Sequence, residues 1–114
     1  MASRQDVADY LLDQLARLPE VRARRMFGEF GIYLGERFVA LIADDQLFVK
    51  DTAPGRDFWP EAEEGIPFPG AKPWLLVPAD QWEDPQWLCA LLEVTASALA
   101  PVAARRKRGP RSRP

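Results

Sequence analysis

Residues 31–50 read Gly31-Ile32-Tyr33-Leu34-Gly35-Glu36-Arg37-Phe38-Val39-Ala40-Leu41-Ile42-Ala43-Asp44-Asp45-Gln46-Leu47-Phe48-Val49-Lys50. Three short runs of aliphatic, aromatic and β-branched residues are separated by two-residue turn signals. The first signal is Gly35-Glu36, a Gly-X pair of the kind that closes a hairpin, and the second is Asp44-Asp45. The spacing predicts an antiparallel meander of three strands over residues 31–34, 37–43 and 46–50. Phe38, Ala40 and Ile42 on one side and Val39 and Leu41 on the other make both faces of the middle run apolar. That strand is therefore expected at the centre of a sheet, covered on both sides.

Helices are available at both ends of the chain to supply cover. Val7, Leu11, Leu15 and Leu18 recur at helical spacing, with Ser3 placed to cap, Asp6 three residues later and Pro19 as the stop. Toward the C-terminus, Asp84-Pro85 is a cap followed by proline at the first helical position. Leu88, Leu91 or Leu92, Thr95, Leu99 and Val102 then share a face. Between the meander and this helix, Trp74-Leu75-Leu76-Val77 reads as a fourth strand. Prolines at 54, 60, 67, 69 and 73 leave room only for a helical turn over residues 56–59. The expected architecture is a single α+β domain over residues 1–101, an antiparallel sheet of about four strands with the N- and C-terminal helices packed on it. Residues 102–114 are expected to form a basic, disordered tail.

The 114 residues are 47% hydrophobic and 28% charged, enough apolar material for one core and too much for a disordered chain. There is no histidine and one cysteine, Cys89, which excludes the usual Cys/His zinc sites, a Ser-His-Asp triad and an internal disulfide. The net charge of -2 is unevenly spread. Arg105, Arg106, Lys107, Arg108, Arg111 and Arg113 hold six of the fifteen basic residues, so residues 1–104 carry nine basic and seventeen acidic groups, a body of -8. The tail is placed to bind nucleic acid weakly and without sequence preference, through phosphate neutralisation. Arg4, Asp6, Asp9 and Asp13 occupy the positions where a signal peptide needs an apolar run, which predicts a cytoplasmic protein. Residues 87–104 are barely long enough to span a membrane, and too alanine-rich and too interrupted by Glu93 and Pro101 to do so.

No catalytic constellation emerges. Gly28, Gly31 and Gly35 fit no phosphate-loop spacing and precede strands, where positive φ or a bulge explains them. Acidic clusters at Glu61, Glu63 and Glu64 and at Asp80, Glu83 and Asp84 read as solvated loop edges. Cys89 falls on an apolar helix with nothing to activate it. Trp59, Trp74, Trp82 and Trp87 read as core and loop anchors before base-stacking groups. These absences predict a non-enzymatic protein with no cofactor and no metal. The small sheet and apolar helix predict a homodimer.

The most distinctive segment is Arg22-Ala23-Arg24-Arg25-Met26-Phe27-Gly28-Glu29-Phe30-Gly31-Ile32-Tyr33, in which three arginines precede a glycine-punctuated strand start. Together with residues 38–50 it resembles the N-terminal domain of the TfoX/Sxy family, bacterial proteins associated with regulation of natural competence. The resemblance covers roughly residues 5–100. It implies a regulatory interaction module, such as an adaptor for transcription machinery or competence, with a protein partner. It points to Arg24, Arg25, Met26, Phe27, Gly28, Gly31, Tyr33 and Lys50 as partner-binding residues and to Asp44 and Asp45 beside them. Glu29 stands where the family often has a second glycine. Full competence regulators add a C-terminal domain resembling helix-hairpin-helix DNA-binding modules, and here an arginine-rich tail stands in its place.

Overall fold

The structure is a computed structural model that describes residues 4–100. The expectations placed on Ser3, Val102 and the tail residues 105–113 lie outside the described residues. The elements run α1 (Gln5–Gln14), β1 (Val21–Met26), β2 (Glu29–Leu34), β3 (Arg37–Ala43), β4 (Gln46–Val49), α2 (Ala53–Phe58), β5 (Glu63–Gly65), β6 (Trp74–Val77), a 3-10 turn (Ala79–Glu83) and α3 (Pro85–Ser97). The class is the expected α+β, but the sheet has six antiparallel strands, in the order β1-β2-β3-β4-β6-β5, instead of about four. The two additional strands lack apolar runs. β1 is half arginine and β5 reads Glu-Glu-Gly, so pairing to a neighbour, not hydrophobicity, defines them.

The hairpin turns follow the expected chemistry. Gly35, at φ +60°, opens the β2–β3 turn, and Asp44 and Asp45 both take positive φ between β3 and β4, the arrangement whose twist matches the flanking strands. A bulge in β3 between the Ile32 and Tyr33 registers breaks the simple alternation read from sequence. Ile32 pairs Ala40 and Tyr33 pairs Phe38, so Val39 is the extra residue. As a result Val39, Ala40 and Ile42 all enter the larger core, while Phe38, Leu41 and Ala43 share the opposite face.

Both terminal helices pack on one face. Ala8 and Leu11 of α1 and Leu88, Leu91 and Leu92 of α3 form a continuous core with Phe30, Ile32, Val39, Ile42, Leu47, Val49, Leu75 and Val77. A second cluster on the far face, built on Leu41, Ala43 and Phe48, contains no helical residue. β3 is thus covered on both sides, by helices on one and by side chains of its own sheet on the other.

Helix α1 ends at Gln14, not at Pro19. Leu15 leaves helical geometry, and Leu18 donates its N–H to the Leu15 carbonyl at 2.9 Å, a turn that keeps both leucines buried while the chain swings into β1. The N-cap of α1 is Arg4, without a capping side chain, and Asp6 pairs with the Arg4 guanidinium instead. Thr52 caps α2 by accepting the Gly55 N–H at 3.1 Å, which starts this helix earlier than the turn expected at residue 56. At α3 the expected cap is present. Asp84 accepts the Trp87 N–H at 3.2 Å, with Pro85 at the first helical position.

Because α3 supplies the largest share of the helical core, losing its cap is expected to register in global stability. Asp84→Ala should lower the free energy of unfolding by about 1 kcal/mol in a urea titration. Asp80→Ala, an exposed control in the preceding turn, should stay within about 0.5 kcal/mol. Equal losses in the two variants would remove the capping account.

Candidate functional site

The sheet face without helices carries a ladder of rings and cations that crosses the strands. Arg22 on β1 sits 4.7 Å over the Tyr33 ring, Tyr33 stacks on Phe38 at 5.0 Å, and Phe38 meets the Trp74 ring edge-on at 5.8 Å. Lys50 closes the ladder with its Nζ 4.8 Å from the Phe38 centroid and 5.9 Å from that of Trp74. Rings with electron-rich faces and cations above them cover apolar strand residues without a further layer of chain.

The ladder stops short of the β1–β2 turn, where it leaves an apolar cleft of about 490 Å³ lined by Met26, Phe27, Phe38, Leu41, Ala43, Trp74 and the loop residues Pro67 and Phe68. Glu29 is the charged residue at its rim, and its Oε1 accepts the Asp44 N–H at 3.2 Å. Gly31 lies under the Met26 and Phe38 side chains. A Cβ there would lie 2.9 Å from Met26 Cε and 3.0 Å from Phe38 Cε1, so a larger residue would push these two side chains away from the strand.

Phe27 is the outlier of the molecule. It occupies the first central position of the β1–β2 turn at φ +54°, followed by Gly28 at +82°, and its side chain is fully exposed. Left-handed backbone costs an ordinary residue about 1–2 kcal/mol, and such turns normally take Asn-Gly or Asp-Gly. Nothing in the core repays a phenylalanine here. Met26, and Phe68 across the cleft, extend the same apolar rim, the latter about half exposed.

The structure brings Met26, Phe27, Gly28 and Gly31 together at one end of the sheet, with Tyr33 and Lys50 one ring further along. Arg24 and Arg25 are separated. Strand alternation puts Arg24 on the open face between Arg22 and Met26, opposite Gly31, while Arg25 turns to the helical side. There its Cζ lies 5.1 Å over the Phe30 ring and Nη2 donates to Gln5 Oε1 at 3.0 Å. Asp45 accepts the Arg4 N–H at 2.8 Å and ties the start of α1 to the β3–β4 turn. The sequence reading missed Phe38, Leu41, Trp74 and Phe68 as cleft residues. The two apolar faces of residues 38–42 were the available signal, because only one face has a helical cover.

The other candidate groups have structural tasks. Arg56 holds both Asp51, at 2.8 Å, and Glu64, and its guanidinium keeps the Asp51 carboxyl below the usual carboxylate range. Among the described residues no cluster of three histidine, cysteine, aspartate or glutamate side chains could hold a metal ion, and no helix is long and apolar enough to cross a membrane. Trp59 and Trp87 pack edge to face at 5.0 Å, and the Trp82 indole donates to the Val77 carbonyl at 3.1 Å, so these three serve the core. Cys89 is buried against α1, its Sγ 3.7 Å from the Gln14 carbonyl, and burial pushes the thiol above its ordinary value.

Comparison with known proteins places this arrangement. A family model described as the TfoX N-terminal domain matches residues 13–99. An uncharacterized 12.7 kDa protein encoded in the trpE 5′ region of Spirochaeta aurantia is 38% identical over 99 residues, covering 87% of this chain and 85% of the relative.

Two expectations follow from the geometry. Phe27→Asn places a residue at home in the left-handed region and removes no core contact, so it should raise unfolding stability by up to about 1 kcal/mol in urea. A loss of stability would show that Phe27 packs in the free protein. Cys89 should resist a thiol reagent in the native state and react once unfolded. Its raised value also means that, as pH climbs past the ordinary thiol range, the unfolded chain releases the proton first. The contribution present at lower pH is then lost, and the urea midpoint should fall as pH rises past the ordinary thiol range. Rapid native labelling would contradict this burial.

Proposed function

The chain belongs to the TfoX N-terminal domain family, and from that premise we propose that it is a non-enzymatic regulatory module that works in the cytoplasm by binding a protein partner through the β1–β2 hairpin and the cleft beside it. The process it serves is competence or transcription control, as the family suggests. The observation that carries the reading is Phe27. A fully exposed phenylalanine held in a costly backbone conformation, on the lip of an apolar cleft, is explained by an occupant that covers it. Centrally placed, desolvated aromatic side chains are the usual anchors of protein interfaces. The missing histidines and the structural tasks of Cys89, Asp51, Glu64 and Asp84 support the non-enzymatic part.

The test compares affinity capture from the native host by the full chain, a chain lacking residues 102–114 and Phe27→Ser, followed by reconstitution with the purified partner. The first two should retain the same protein, and Phe27→Ser should lose it by at least tenfold while unfolding like the wild type. Capture that depends on the tail and not on Phe27 would transfer the function to the tail.

A further inference from the structure

The same hairpin has a second exposed feature, its outer edge. Among the described residues β1 is the terminal strand of the sheet and pairs only with β2, so one row of its N–H and C=O groups along Val21–Met26 is turned away from the sheet. Its side chains are the positive island of an otherwise acidic body. Arg22, Arg24 and Arg25 are three of the nine basic residues in a stretch of net charge -8. All three are exposed. The ion pairs among the described residues belong to Arg4 and Arg56, and no described carboxylate pairs with these three. Arg22 gives one N–H to the Gly35 carbonyl at 3.2 Å and Arg25 gives one to Gln5 Oε1, both neutral acceptors, so each guanidinium keeps most of its donors.

We propose that the outer edge of β1 accepts an extended acidic segment of a partner protein as an added antiparallel strand, with an aromatic or aliphatic side chain of that segment entering the cleft beneath Phe27. The inference rests on the reading of the hairpin as an interaction surface and names the chemistry of what binds there. Strand geometry sets the pattern. Side chains opposite Arg22, Arg24 and Met26 lie on the open face at intervals of two, so an antiparallel segment presents an apolar residue at the Met26 register and acids two and four residues later. Backbone bonds along the edge supply affinity and the arginine pairs fix register.

Arginines on an edge strand also serve simply to prevent aggregation. A merely protected edge has no use for an exposed Phe27 or for the cleft that continues from its last residue. A second copy fits less well, because it would bring three identical arginines against this edge. Single-stranded nucleic acid fits less well too: the ladder rings are engaged with each other and with Arg22 and Lys50, and the acidic body repels phosphates.

The probe is a fluorescent seven-residue peptide, phenylalanine followed by alternating valine and glutamate, titrated into the full chain with amide resonances recorded. The shifts should concentrate on β1, Phe27 and the cleft. Arg24→Glu should unfold like wild type, because Arg24 is exposed, and should weaken binding at least tenfold. N-methylating one set of alternate residues in the peptide should abolish binding, and N-methylating the other set should change it less than threefold, because only alternate N–H groups face β1. Equal tolerance of both methylated peptides would rule out strand addition, and shifts away from β1 would rule out this edge. Equal binding by a lysine-for-glutamate peptide, or tighter binding by a thymidine oligonucleotide, would overturn the acidic partner. Line broadening of β1 with protein concentration alone would give the edge to a second copy. If no peptide binds while capture still depends on Phe27, strand addition fails and the interaction module stands.

Discussion

A six-stranded sheet has two apolar faces to keep from water, and the described residues hold helices enough for one. Everything distinctive in the molecule follows from that shortage. α1 and α3 both pack where Ile32, Ile42, Leu47 and Leu75 are fully buried. The far face is covered by its own aromatic side chains, packed against one another across the strands and capped by Arg22 and Lys50. Rings laid on a pleated surface cover what lies under them and no more. At the β1–β2 end, where the ladder gives out, the shortage shows as a cleft instead of a layer.

The bulge in β3 is the device that divides the residues between the two faces. Without Val39 as an extra residue, Phe38 would follow Ala40 and Ile42 into the helical core, and the ladder would lose its central ring. One inserted residue thus lets a wholly apolar strand serve two covers of different chemistry.

How much could be read from the chain depended on whether apolar residues carried the message. The meander, β6 and the Asp84-Pro85 start of α3 were legible because periodicity and turn chemistry agree there. β1 was not, since Arg22, Arg24 and Arg25 hide the weak alternation of Val21 and Ala23. β5 was not either, because its place is set by fit. Gly65 passes so close to Phe48 that a Cβ would lie 2.8 Å from the ring. At the site, Met26 and Phe27 stood out as part of an unusual segment. Trp74 and Phe68 arrive from a loop-rich stretch more than thirty residues away and are joined to it only by the strand order. Arg24 and Arg25, neighbours in sequence on the same edge strand, point to opposite faces of the sheet because of the two-residue period of a strand.

The two borders of the sheet carry opposite charge. β1 exposes Arg22, Arg24 and Arg25, and β5 exposes Glu63 and Glu64. Tiles with complementary, non-identical borders join head to tail, and unless the rotation between neighbours closes a ring, such joining grows into a filament. The brake is on the acidic side, where β5 offers only three residues and Glu64 is already held by Arg56. Shortness here is a constraint in its own right, because a longer acidic strand in that position would offer the arginine border of another copy a full-length edge to pair with.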